Sequence, residues 1–156
     1  MKTLRILFFL LTISSVNAQD IFEAARSGDV KMAASLYKAD PTIINSQNGQ
    51  GYTPLVLASY YDREEFIEFL VSKEVQIETR QGYPTAVQAC SYKGFNSSLE
   101  VLLEYGADPN LYDANGTSPL IYAAQFNHKE VVVTLLKYGA NPEYKDPNGQ
   151  SAIDWD

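Results

Sequence analysis

Apolar residues in this chain fall at helical spacing in short runs, the runs come in pairs, and the pairs recur. In the clearest pair Leu120, Ala123 and Ala124 share one face of a short segment and Asn127-His128 interrupts. Val131, Val132, Leu135 and Leu136 then mark a second segment over Glu130 to Tyr138, the three-and-four spacing of an amphipathic helix. Ser118 followed by Pro119 predicts where the first helix opens, a hydroxyl cap before a residue whose missing N–H is not needed there. Gly139 predicts where the second helix stops, in a left-handed conformation, and a polar stretch from Ala140 to Asn148 runs out to the next glycine. An earlier pair ends with Leu99, Leu102 and Leu103, then Gly106-Ala107-Asp108-Pro109-Asn110. Another ends with Phe66, Ile67 and Leu70, and its loop, Lys73 to Gln81, is about two residues short. The first pair is degenerate, with Ile21, Ala24 and Ala25, a break at Arg26 to Asp29, a helix near Val30 to Lys38, and Asp40-Pro41.

A glycine opens each pair after the first, and another precedes the C-terminal segment: Gly51, Gly82, Gly116 and Gly149 stand 31, 34 and 33 residues apart. Self-similarity at this period predicts stacked supersecondary units, because one unit cannot bury its apolar face alone. The expected architecture is an all-α solenoid of about four helix-turn-helix repeats joined by hairpin-like loops, the third repeat carrying one extra residue near Tyr92-Lys93. Ser151 to Asp156 begins a fifth inner helix and stops, so the apolar side of helix 130–138 is expected to be incompletely capped. Such arrays are built to bind.

The first eighteen residues read as an export leader: Lys2 and Arg5, an apolar core from Ile6 to Ile13, and Val16-Asn17-Ala18 as a small-residue cleavage site. The apolar run is short of the roughly 20 residues a membrane-spanning helix needs, so no membrane insertion is expected after cleavage. Residues 19–156 form one domain, in which no linker or low-complexity stretch interrupts. The full chain carries 12 basic and 19 acidic side chains, net −7. Loss of Lys2 and Arg5 makes the balance more negative. A field of that sign repels nucleic acid and anionic membranes, and favours basic partners or simple solubility. Cys90 is the single cysteine, so no internal disulfide forms.

Candidate chemistry is sparse. His128 is the one histidine, and a general base needs a partner constellation that the sequence does not supply. Zinc-spaced Cys/His ligands and a glycine-rich phosphate loop are absent from the sequence, and no cofactor is expected. Asp62, Glu64, Glu65 and Glu68 read as a solvated helix start, favourable near the positive end of the helix dipole; calcium-loop spacing is missing. Cys90 reads as a small core residue. Asn96-Ser97-Ser98 and Asn115-Gly116-Thr117 match the glycosylation triplet, which matters only in a host that glycosylates exported proteins.

Thr53-Pro54-Leu55, Ser118-Pro119-Leu120, Leu57-Ala58 and Ala123-Ala124, with Leu102-Leu103 to Asn110 and Leu135-Leu136 to Asn141, resemble the ankyrin repeat over roughly Asp20 to Asp156. The histidine that closes the family's helix-opening tetrapeptide is replaced by Val56, Val87 and Ile121, and Pro84-Thr85 inverts the Thr-Pro order. The resemblance implies that His128 is a structural turn residue. It also implies a concave surface made by the residue after each hairpin glycine and by two residues ending each inner helix. In repeats two to four these are Tyr52, Tyr60, Tyr61, Tyr83, Ser91, Tyr92, Thr117, Gln125 and Phe126. Six of these nine are aromatic, where the chain's 12% aromatic content would place about one. Partner-binding surfaces favour tyrosine, which supplies large amphipathic contact at low entropic cost; alternatively the rings stack between repeats and stiffen the array.

The resulting expectation is an exported, non-enzymatic module that binds another protein. Tyr52, Tyr60, Tyr61, Tyr83, Tyr92 and Phe126 form its contact centre, with Arg80, Gln50 and Gln125 at the rim. A periplasm is the expected location, otherwise secretion. Alternatives are an antidote or protective partner of a secreted or envelope enzyme, and a structural protein that self-assembles through its C-terminal edge. A monomer is expected otherwise.

Overall fold

The computed structural model describes residues 18–79 and 83–155. Among them are eight α-helices in consecutive pairs: α1 Ala18–Ser27 and α2 Val30–Ala39, α3 Pro54–Tyr60 and α4 Glu64–Val71, α5 Ala86–Lys93 and α6 Asn96–Glu104, α7 Pro119–Gln125 and α8 Lys129–Lys137. Short 3-10 turns occupy Pro41–Asn45 and Ala152–Trp155. The odd-numbered helices stack on one another as an inner row, and α2, α4, α6 and α8 as an outer row. The expected all-α solenoid is what forms. Residues 1–17 of the predicted 1–18 leader, the segment 80–82 with Arg80 and Gly82, and residue 156 lie outside the described residues.

Local chemistry sets the start of the inner helices α3, α5 and α7. The Thr53 hydroxyl accepts the N–H of Val56 at 3.2 Å, and that of Ser118 accepts the N–H of Ile121 at 3.3 Å, each with proline at the first helical position. Thr85 forms a full capping box, accepting from the N–H of Gln88 at 3.1 Å while the Gln88 carbonyl oxygen accepts from the N–H of Thr85 at 2.8 Å. After every inner helix one residue turns left-handed, at Gly28, Asp62, Gly94 and Asn127. That turn reverses the chain into the outer helix.

These caps correct the register of the third repeat. Gly51 and Gly116 stand two residues before their caps, but Gly82 stands three before Thr85. The extra residue therefore precedes α5, in the Tyr83-Pro84 stretch, and is not near Tyr92-Lys93 as expected. Counted from the caps, Tyr92 is the equivalent of Tyr60 and Gln125, and Lys93 of Tyr61 and Phe126. Ser91, expected on the concave face, is the equivalent of Ser59. Both serines are fully buried, with hydroxyls that donate to the carbonyls of Val87 at 2.7 Å and Leu55 at 2.8 Å. The fourth tetrapeptide place belongs to Gln88, not Val87. Its amide also donates to the carbonyls of Leu111 at 3.1 Å and Thr117 at 3.3 Å in the next repeat.

The core runs the length of the stack between the two rows. Leu55, Val87 and Leu120 repeat at one level, and Ala58, Cys90 and Ala123 at another, all buried. Small side chains at the second level let inner helices approach closely, and Cys90 serves there as a third alanine. Each fully buried Leu, Ile or Phe contributes about 1.5–3 kcal/mol. Among the described residues three hairpin tips are copies of one motif. Asn48, Asp113 and Asp146 each accept two backbone N–H groups through Oδ1, from Gln50 and Tyr52, Asn115 and Thr117, and Asn148 and Gln150, at 2.9–3.0 Å.

Candidate partner-binding cleft

Stacking the inner helices brings the ring-bearing ends of α3, α5 and α7 together. Tyr60 and Tyr92 lie nearly parallel, 6.5 Å between centroids and 14° between planes. Tyr61 and Tyr60 meet T-shaped at 5.3 Å, and Tyr92 makes T-shaped contacts with Phe126 at 4.8 Å and Tyr122 at 5.8 Å. Edge-to-face and offset pairs of this kind each add about 0.5–1.5 kcal/mol beyond burial. The rings are packed on one another, yet Tyr60, Tyr61, Tyr92 and Phe126 remain 40–43% exposed. They stiffen the array and face solvent at once.

Beneath them opens a cleft of about 350 Å³, whose lining includes Gln50, Tyr52, Tyr60, Tyr61 and Tyr92. Five expected site residues are thus brought together. Phe126 leans on Tyr92 at the cleft's edge, and Gln125 is exposed beside it. Tyr83 is absent from that lining and folds over Gly51, between the lining residues Gln50 and Tyr52; an added Cβ at Gly51 would come within 2.4 Å of its ring. Glycine is required at position 51 for that close approach and for its φ of +81°.

Four charged or aromatic residues of the cleft or its rim escaped the sequence reading. Arg26, Asp113 and Tyr122 line the cleft, and Lys93 holds its ammonium 4.9 Å from the Tyr60 ring centroid. The Tyr122 hydroxyl donates to Asp113 Oδ2 at 2.6 Å. Burial, then that carboxylate, pushes the Tyr122 phenol up to about 12. Counting from the caps would have found Lys93, the equivalent of the exposed Tyr61 and Phe126, whereas Tyr122 takes the place of the buried Leu57 and Ala89. The Asp113–Tyr122 bond has no sequence signal beyond two polar residues nine apart.

The remaining candidate chemistry resolves into structure. His128 Nε2 lies 3.1 Å from the carbonyl oxygen of Tyr92. A carbonyl only accepts, so that nitrogen carries the proton and donates. Arg63 occupies the same turn two repeats earlier and donates from Nε to the carbonyl of Arg26 at 2.7 Å. Both side chains fasten a turn to the preceding repeat, and His128 packs closely against Gly94 while doing so. Asp62 accepts from the Ser98 hydroxyl at 2.8 Å, and Glu64, Glu65 and Glu68 are exposed. Asn96 accepts from the Thr134 hydroxyl at 2.7 Å, whereas Asn115 is exposed at a hairpin tip. Burial pushes the Cys90 thiol far up, away from thiolate chemistry. Among the described residues no cluster of metal-ligating side chains occurs, and no helix is long and apolar enough to cross a membrane.

Comparison with known proteins agrees with this architecture. A family model for ankyrin repeats in three copies matches residues 21–113 and 86–155. Rat ankyrin repeat and SAM domain-containing protein 6 is 31% identical over 99 residues, 62% of this chain and 11% of that protein. Bovine ankyrin repeat and SOCS box protein 3 is 35% identical over 102 residues, 62% of this chain and 19% of that protein. Human ankyrin repeat domain-containing protein 63 is 28% identical over 116 residues, 70% of this chain and 30% of that protein. The chain thus spans a third or less of the length of these relatives, and what it shares with them is the repeat array. Proteins of this type are generally interaction scaffolds rather than catalysts. The chain belongs to the ankyrin-repeat family.

Proposed function

We propose that this protein is an exported ankyrin-repeat module that binds another protein through the aromatic concave face. The observation that carries the proposal is the cleft itself. Four rings from three inner helices are held in fixed mutual geometry and left about 40% exposed, above an opening lined by further tyrosines. Rings used only for packing would be covered. Rigid, half-exposed tyrosines supply contact area at little entropic cost on binding. Export, to a periplasm or beyond the cell, rests on the leader-like residues 1–18. An antidote to a secreted enzyme, or a protective partner of an envelope enzyme, is the same binding event with a different consequence.

The test is affinity capture from native extract with residues 19–156 as bait, beside an equally folded Tyr60→Ala/Tyr61→Ala variant. A protein retained by the parent and lost by the variant is the expected result. Equal retention by both would move the contact to another surface. A second reading, self-assembly through the C-terminal edge, is favoured by the 68% exposure of Ile153 and the 44% exposure of Leu136, and concentration-dependent mass in solution would reveal it.

A further inference from the structure

We infer that the aromatic cleft receives a cationic side chain, an arginine or lysine of the partner's contact segment. This rests on the reading that the concave face binds a protein, and it names the chemistry at the centre of that contact. The cleft is lined by the rings of Tyr52, Tyr60, Tyr61, Tyr92 and Tyr122 together with the carboxylate of Asp113. Aromatic faces carry negative potential and attract ammonium and guanidinium groups within about 6 Å. Asp113 adds a full negative charge among them. Its three hydrogen bonds come from the N–H groups of Asn115 and Thr117 and from the Tyr122 hydroxyl. All are neutral donors, so none compensates the charge.

Among the described residues two cations lie nearby, each engaged within the chain. Arg26, in the lining, pairs with Glu23 at 3.5 Å. Lys93 stands outside the lining with its ammonium over Tyr60. It shows that this ring face takes a cation, and a partner's cation would extend the arrangement inward. A volume of about 350 Å³ accommodates one long side chain. The net charge of −7 steers a basic partner toward the module before contact.

The experiment titrates the isotope-labelled protein with three blocked pentapeptides that differ only in a central arginine, glutamate or leucine. The arginine peptide is expected to shift the Tyr60, Tyr92 and Tyr122 signals saturably, and more tightly than the other two. Asp113→Asn is expected to weaken it about tenfold. Asn48 holds an equivalent hairpin tip through the same two backbone bonds, so the asparagine suits the fold. Asp146→Asn, at the following tip and outside the cleft lining, is expected to leave binding unchanged. Equal or tighter binding of the leucine or glutamate peptide at the same residues would overturn the inference while leaving a binding cleft in place. Undiminished affinity in Asp113→Asn would also overturn it. So would the absence of a shift with all three peptides, and the capture experiment then judges the protein-binding reading independently.

Discussion

Glu74 shows how one side chain departs from the rule its neighbours obey. It has φ +57°, at the helix-ending position that Gly106 and Gly139 fill with φ +91° and +89° in the next two repeats. The residues that follow, Val75, Ala107 and Ala140, are all buried, which confirms the equivalence. A non-glycine residue in that conformation costs about 1–2 kcal/mol, and glycine's extra freedom in the unfolded chain returns part of it. Glu74→Gly is therefore expected to stabilise the domain by about 0.5–1 kcal/mol, read as a higher denaturation midpoint with unchanged slope. A lower midpoint would mean that the Glu74 side chain contributes more than its backbone costs. Glu74 also marks the start of the short loop of repeat two. Two residues are missing between Glu74 and Gly82 relative to the later loops, and the extra residue before Thr85 restores one.

At the level of elements, the loops between outer and inner helices are stitched to one another by a repeated bond. Asn45 accepts from the N–H of Gln76 at 2.8 Å, Glu78 from that of Asp108 at 2.7 Å, and Asn110 from that of Asn141 at 2.8 Å. Glu78 is the charged member of the series. Burial raises its carboxyl above the usual value of 4.5, against the opposing effect of the Asp108 N–H. A carboxyl raised in the folded state binds its proton more tightly there than in the unfolded chain. Its contribution is complete below 4.5 and is lost as pH rises through the folded-state value. Glu78→Gln keeps an acceptor for Asp108 and removes the titration. The variant is expected to match the parent near pH 4 and to exceed its stability at neutral pH, measured by denaturant unfolding at both. A parent that is the more stable of the two at neutral pH would show that the charged hydrogen bond outweighs burial.

For the whole molecule the decisive feature is that each repeat covers its predecessor. Leu136 stands where Val71 and Leu103 stand, yet it is 44% exposed against 6% and 5%. Ile153 stands where Leu55, Val87 and Leu120 are buried, and is 68% exposed. Identical positions thus have different energetic weight according to what is stacked on them. Leu103→Ala is expected to cost about 2–4 kcal/mol, while Leu136→Ala costs under about 1 kcal/mol because much of its surface is already wet. Unfolding measurements on the two variants side by side check this, and equal costs would mean that the α8 face is covered in solution.

The sequence by itself determined the helix pairs, the stacking period and the family, because helical spacing, proline-hydroxyl caps and glycine stops are local and recur. It also marked the aromatic stripe, since tyrosines gather at matching places in Gly51 to Tyr61 and Gly82 to Tyr92. Only the tertiary structure decided the register of the third repeat. A residue gained before Thr85 and one gained after Ser91 look alike in spacing, and only cap bonds and burial separate them. The structure alone also joined Asp113 to Tyr122, sent Tyr83 onto Gly51, and made His128 a tie to the Tyr92 carbonyl. The Tyr83 and His128 contacts cross between repeats, the Asp113–Tyr122 bond closes a hairpin onto the helix that follows it, and periodicity along a chain carries no information about which atoms tertiary packing brings within reach.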